Sequence, residues 1–250
     1  KRKTYTPRRF ANEVLGEFFA GSTKPLTFDQ ALVCIDADRE VVDSIVPPDS
    51  TVMGIDWGLT TTVVIMDPKS KSILNCLKIE SRSDDDDEVQ RIKDLMLRYN
   101  STKVVCDIGY GARQTRELQR EFGDRVCSCY YSSRPMTPYE FKKRDNNRNL
   151  IFMAVVDRTT YIERTLESIK QGEFSLPYAD RSLEWVLKEW CSINSSVESD
   201  MRSSRPTRSQ TLTKYGRDGD DHALHALLYA TIAADMDDDG GLPEMRTFGA

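Results

Sequence analysis

Three carboxylate-bearing segments are the residues of this chain best suited to chemistry: Val52-Met53-Gly54-Ile55-Asp56-Trp57-Gly58, Val104-Val105-Cys106-Asp107-Ile108-Gly109 and Asp220-Asp221-His222-Ala223-Leu224-His225-Ala226. The first two are apolar runs that end in an Asp followed within two residues by a Gly. That pattern predicts a buried strand delivering a carboxylate to a sheet edge, where the chain turns out. The third opens an Ala/Leu-rich helical run with two adjacent acids. Two strand-end carboxylates and one at a helix start make an oxygen-rich site for hard divalent cations. Mg²⁺ in particular keeps waters and takes phosphate oxygens as further ligands. The chemistry expected of such a set is phosphodiester hydrolysis.

The chain has two histidines, His222 and His225, both on the segment of Asp221. The i, i+4 spacing puts Asp221 and His225 on one helical face. His225 is therefore open to three roles: metal ligand, general acid or base, or a partner that orients a carboxylate. His222 is expected to point away from that face. Asp220 is an adjacent candidate ligand. Consecutive helical residues point about 100° apart, and Asp221 shares its face with Leu224, His225 and Leu228, so Asp221 is the expected ligand. Asp220 then faces solvent and the helix N-terminal dipole.

The elements that must position these groups follow from periodicity. Residues 51–56, 61–66 and 72–79 read as strands joined by short gaps, an antiparallel meander. Residues 88–99 place Val89, Ile92, Leu95, Met96 and Tyr99 on one helical face, with the acids of 84–88 at its start. Residues 103–107 are a fourth strand, expected beside the first. Residues 113–122 form a helix closed by Gly123, and 125–131 a fifth strand. Residues 149–156 read equally as a strand or a helix start; 160–171 and 183–191 read as helices, and 174–178 as a short extended piece. Residues 194–217 read as a long surface loop or mobile hairpin, and 221–234 as the last core helix. Before the first strand, 10–19 reads as a short helix and 31–35 as a short strand. The sum is an α/β domain on a mixed sheet.

Composition bounds the rest. With 250 residues, 39% hydrophobic and 30% charged, one sizeable core is expected. No apolar run approaches the roughly 20 residues of a membrane span. The chain begins at Lys1, and is expected to be a piece of a longer protein. Six cysteines without a Cys-x-x-Cys spacing are expected to be buried thiols. The net charge of −5 argues against a whole-surface grip on DNA, yet basic residues cluster. Lys142, Lys143, Arg144 and Arg148 form one patch; Arg202, Arg205, Arg208, Lys214 and Arg217 form an acid-free stretch. Such stripes beside carboxylates suit an enzyme that holds a phosphate backbone; solvated loops are the plain alternative for either one. No Gly-x-x-x-x-Gly-Lys-Ser/Thr segment occurs, so no ATPase activity is expected.

At these residues the chain resembles the C-terminal nuclease domain of the large terminase subunit of tailed bacteriophages. The resemblance runs from Arg8-Arg9-Phe10 through the Gly54-Ile55-Asp56-Trp57-Gly58 strand, the Val105-Cys106-Asp107 strand and Val156-Asp157-Arg158-Thr159 to 221–230. It implies an RNase H-like fold: a mixed sheet of three antiparallel strands plus further strands, flanked by helices. It also implies cleavage of double-stranded, concatemeric DNA during genome packaging with two divalent cations, Mg²⁺ or Mn²⁺. Asp56 would bridge the metals, with Asp107 and Asp221 as further ligands. Residues 1–48 would follow an ATPase domain on the full-length chain, 49–236 would be the nuclease, and 237–250 a disordered tail. A terminase small subunit, a portal and the cytoplasm of the infected host are likewise implied, with no membrane. Many members of that family carry an Asp where His225 stands, which leaves the role of this position open. The Gly54–Thr61 segment also resembles the first phosphate loop of actin-like ATPases and sugar kinases, and a Holliday-junction resolvase or an RNase H would be rival enzymes on the same fold. A DNA-holding module without catalysis is the alternative of a different class.

Overall fold

A computed structural model of the chain describes residues 24–46, 49–80, 85–132, 139–144, 150–199 and 211–238. Strands β1 (Thr51–Asp56), β2 (Thr60–Met66) and β3 (Ile73–Glu80) form the antiparallel meander. Helix α1 (Asp85–Arg98) leads to β4 (Ser101–Asp107), which pairs with β1 in parallel. Helix α2 (Ala112–Phe122) then leads to β5 (Val126–Ser132), parallel to β4. Strand β6 (Glu140–Arg144) pairs antiparallel with β7 (Leu150–Asp157), and β7 lies parallel to β5. The seven strands run in the order β3-β2-β1-β4-β5-β7-β6. Residues 150–157, ambiguous by sequence, are thus a strand, because their apolar side chains fill the sheet rather than one face of a helix. The edge strand β6 was not expected; its charged stretch, Phe141 apart, carries little alternation to read.

Period-two alternation divides the core between the two faces of the sheet. Met53, Ile55, Val63, Ile65, Val104, Cys106 and Val126 pack with Val89, Ile92, Met96 and Leu118 of α1 and α2. Val52, Val64, Val105, Cys127, Cys129, Ala154 and Val156 face the other way. That second face is covered by α3 (Arg158–Lys170), α4 (Glu184–Trp190) and α5 (His222–Asp238). Helix α5 is apolar on all sides, with Leu224, Leu227, Leu228, Tyr229 and Ile232 buried, as a helix sealed between a sheet and other helices must be. It lies directly on β1. A methyl group on Gly54 would fall 1.9 Å from the Ala226 carbonyl oxygen and 2.3 Å from the Ala230 nitrogen. Only a bare backbone admits the helix this close.

Of residues 194–217, expected as a long surface loop or mobile hairpin, 200–210 lie outside the described residues; the rest belong to an antiparallel pair, β8 (Ile193–Ser199) and β9 (Thr211–Arg217), in continuous register from Ile193 opposite Arg217 to Ser199 opposite Thr211. Upstream of β1, Leu26, Ala31 and Cys34 join the core. The chain around 31–35 is helical through Cys34 rather than extended, and only Ile35–Asp36 pairs as a strand, with Leu176–Pro177. Val42 N–H donates to the Leu74 carbonyl and Ile45 N–H to that of Arg98, both at 3.0 Å. The described cysteines are unbridged and all but Cys191 are buried. No helix among the described residues is long and apolar enough to cross a membrane. The expected helix at 10–19 lies outside the described residues; of the tail expected disordered at 237–250, residues 237–238 are instead the last turn of α5 and 239–250 lie outside the described residues.

Candidate active site

The register between β1 and β4 sets Ile55 opposite Cys106, so Asp56 and Asp107 follow at the same level. By alternation, Asp56 takes the face of Gly54, and Asp107 that of Val105, which is the face α5 covers. Both acids therefore emerge beneath the N-terminus of α5. Asp107 bends back on its own loop, with its Oδ2 accepting the Gly109 N–H at 2.9 Å and the Tyr110 N–H at 3.4 Å. Burial raises its carboxyl pKa above the ordinary value and the charge of Asp56 adds to this, while the two N–H donors and His225 work against it.

Asp221 stands at the mouth of α5, where its carbonyl accepts the N–H groups of Leu224 and His225. Its side chain is buried, 3.4 Å from His225 Nε2 and 3.5 Å from an Arg217 guanidinium nitrogen. Burial pushes that carboxyl up, but the hydrogen bond from His225 and the charges of His225, Arg217 and His222 outweigh it and hold the pKa below the usual value. The helix start is fastened from outside. Glu189, buried at the end of α4, accepts the Ala223 N–H at 2.8 Å and pairs with Lys78. Glu189 is not singled out from the sequence, because an acid near the end of one helix gives no sign that it caps a different helix.

His222 corrects an expectation. It was expected to point away from the face of Asp221 and His225, but it lines the same cleft as both, with its Nδ1 2.7 Å from Asp56 Oδ2. That hydrogen bond raises the imidazole pKa; partial burial opposes it, and the charges of Asp56, Glu189 and Asp221 reinforce it. Helix α5 begins at His222, the residue after Asp221, and lies close on β1, which brings this first residue to the end of that strand. His225 reaches Asp221 as the i, i+4 spacing requires. Its Nδ1 is 3.3 Å from the Tyr131 hydroxyl, which in turn donates to that of Tyr229 at 3.1 Å.

Asp56, Asp107, Asp221, His222 and His225 meet in one cleft of about 440 Å³, closed by Tyr131, Tyr229 and Tyr215 and flanked by Arg158 and Arg217. Arg158 sits 5.8 Å over the Tyr131 ring and donates to the Tyr215 carbonyl at 3.3 Å. It follows a third apolar run ending in Asp, Val155-Val156-Asp157, a signal of the same kind as the first two. Asp157, however, is spent on capping α3 by accepting the Thr160 N–H at 2.6 Å. Asp220 does not line this cleft; it faces the adjoining groove and solvent.

Of the basic residues, Arg217 reaches the cleft and Lys214 is exposed on β9. Lys142 and Lys143 stand on edge strand β6, which β5 and β7 separate from β4. The backbone of Arg144 belongs to the same strand. Arg148, Arg202, Arg205 and Arg208 lie outside the described residues.

The donor set suits a hard cation: three carboxylates gathered in one cleft, one of them held against the charge of another. The acids are at present engaged with N–H and imidazole groups. No three acidic, His or Cys side chains among the described residues converge as a ready-made cage.

No protein-family model and no curated protein matches the sequence. Solved structures do match in shape. The large terminase nuclease from thermophilic phage G20c is 16% identical and aligns over 84% of this chain and 97% of its own, with a TM-score of 0.53. The same nuclease with bound magnesium gives 16% identity, 86% and 98% coverage and a TM-score of 0.54. The large terminase from another thermophilic bacteriophage is 12% identical and aligns over 91% of this chain but 49% of its own, at 0.52.

Proposed function

The fold of this chain is that of large-terminase nuclease domains, and from that premise we propose that it is a metal-dependent endonuclease cleaving double-stranded DNA during phage genome packaging. The observation that carries the reading is the convergence of Asp56, Asp107 and Asp221, from two adjacent strands and a helix start, in a cleft flanked by Arg158 and Arg217. In this reading Asp56, Asp107 and Asp221 hold two divalent cations, Mg²⁺ or Mn²⁺. Such ions, when bound, activate a water and stabilise the leaving oxygen.

The chain's own residues do the remainder. Arg158 and Arg217 present guanidinium groups to the phosphate that enters between them. His225, fixed by Tyr131, orients the Asp221 carboxylate. His222 holds Asp56 through its Nδ1 and would have to release that carboxylate for a cation to be held there. The aromatic wall of Tyr131 and Tyr229 limits water on the inner side. Lys142, Lys143, Arg144, Arg148, Arg202, Arg205, Arg208 and Lys214 remain proposed contacts to the duplex away from the cut. An ATPase domain on the full-length chain, a small subunit and a portal are proposed partners.

Plasmid DNA incubated with the chain and Mn²⁺ or Mg²⁺ tests the proposal. Nicking and linearisation that EDTA abolishes is the expected result; equal cutting in EDTA would remove the metal from the mechanism. Four-way junctions and RNA–DNA hybrids run in parallel distinguish a resolvase or an RNase H on the same fold.

A further inference from the structure

Beside the acidic cleft runs a wider groove of about 730 Å³, whose walls include Leu59, Tyr110, Lys78, Arg91, Arg217 and His222. Arg217 and His222 line both, so the two spaces adjoin. Leu59 is 80% exposed and Tyr110 60% exposed. A leucine and a tyrosine thus stand in solvent at the wall of an otherwise charged groove, where they offer an aliphatic face and an aromatic face to whatever enters it.

Their placement is firm. Leu59 sits on the short turn that follows Asp56, and Tyr110 on the loop that follows Asp107, so both are tied to the acids at close sequence range. Trp57, buried between the loops, donates from Nε1 to Thr115 Oγ1 at 2.9 Å. Gly111 rests against the same indole so closely that a Cβ there would lie 1.9 Å from Trp57 Cδ1. The loop is thereby pressed onto Trp57 while Tyr110 remains at the surface.

The cations of the groove are of two kinds. Lys78 is held by Glu189 and lies 4.5 Å over the Trp185 ring. Arg91, on α1, is half-exposed, with Asp87 at 3.9 Å as its ion-pair partner. Glu80 and Asp220 also line the groove and temper its charge. Such a lining suits a strand gripped by stacking as much as by phosphate contacts, which is how unpaired nucleotides are held.

Resting on the nuclease reading above, we infer that this groove takes unpaired nucleotides flanking the cut, with Tyr110 stacking on a base, Leu59 wedging beside it and Arg91 on the backbone. The enzyme then favours duplex that is locally opened next to the scissile phosphate.

Cleavage of a 40-base-pair duplex and of the same duplex with a four-base mismatch beside the cut, measured at several concentrations of each, provides the test. The wild-type chain is expected to cut the mismatched substrate with a KM about five- to tenfold lower, the size of one stacked base. Leu59→Ala combined with Tyr110→Ala should erase that difference. Arg91→Ala should weaken binding of the mismatched substrate and lower its salt slope by about one. Equal KM values for the two substrates in the wild type, or a preference that survives the double substitution, would overturn the groove assignment while the nuclease reading stands. A wild-type chain that cuts neither substrate with metal would overturn both.

Discussion

His222 and Asp56, 166 residues apart in sequence, are joined by a hydrogen bond of 2.7 Å between the imidazole Nδ1 and the carboxylate. The contact occupies the acid that sits at the centre of the proposed metal site, so the imidazole and a cation compete for one oxygen donor. His222→Ala should therefore lower the Mn²⁺ concentration needed for half-maximal cleavage, by about fivefold if the lost hydrogen bond contributes ~1 kcal/mol. A higher Mn²⁺ requirement would make His222 a ligand instead of a competitor.

Asp56→Asn and Asp107→Asn are each expected to abolish cleavage, but they should differ in their effect on stability. Asp107 has a folded pKa raised above its unfolded value by burial and by the charge of Asp56. A carboxyl raised in this way loses stability as pH rises from its unfolded value through its folded one, so at neutral pH the ionised form weakens the fold. Asp107→Asn removes that loss and keeps an acceptor for the Gly109 N–H. In EDTA at pH 7 its melting temperature should match or exceed that of the wild type, with the advantage shrinking toward pH 4. Asp56→Asn surrenders the ion pair with His222 and should gain less. Unfolding of either variant at room temperature would assign the acids a structural role.

Gly54→Ala should be among the most damaging single-methyl changes in the chain. The added carbon meets backbone atoms of Ala226 and Ala230, which cannot swing aside as side chains do. Overpacking of this kind costs about 1–3 kcal/mol or more, and shifting α5 also moves Asp221 relative to Asp56 and Asp107. A loss of cleavage larger than the loss of stability explains is the expected signature, read by comparing activity and denaturant midpoints.

Arg158→Ala and Arg217→Ala should each weaken duplex binding about equally across sequences and reduce the salt slope by about one. Asp220→Asn, by contrast, should retain cleavage where Asp221→Asn loses it, since Asp220 lies outside the cleft. The reverse outcome would place the helix-start ligand one residue earlier.

The cysteines should be silent. Burial pushes the Cys34 and Cys191 thiols up to about 11 and the Cys127 thiol up to about 12. Alkylation by iodoacetamide at pH 7.5 should be slow in the native chain and complete in denaturant. Rapid native labelling of Cys34 would contradict its packing against α3.

Much of this architecture was legible without coordinates because it is written in local periodicity. The runs at 51–56 and 103–107 are apolar and end in acids, so these strands, the meander that follows the first and an Asp at the end of each follow from alternation and short connections, whereas the order of the remaining strands does not. The apolar character of 223–234 likewise predicts a buried final helix carrying Asp221. What the tertiary structure decided depends on contacts between segments far apart in the chain. Glu189 on α4 accepts the Ala223 N–H, and the seating of α5 directly on β1 brings His222 to Asp56. Strand β6 exists because β7 offers an edge, not because its own sequence alternates. Arg158 and Tyr131 enter the cleft only when β5, β7 and α5 are assembled. Sequence carries the period of each element, but the rotation of one element against another is fixed by packing and by caps supplied from elsewhere, and those are what complete the site.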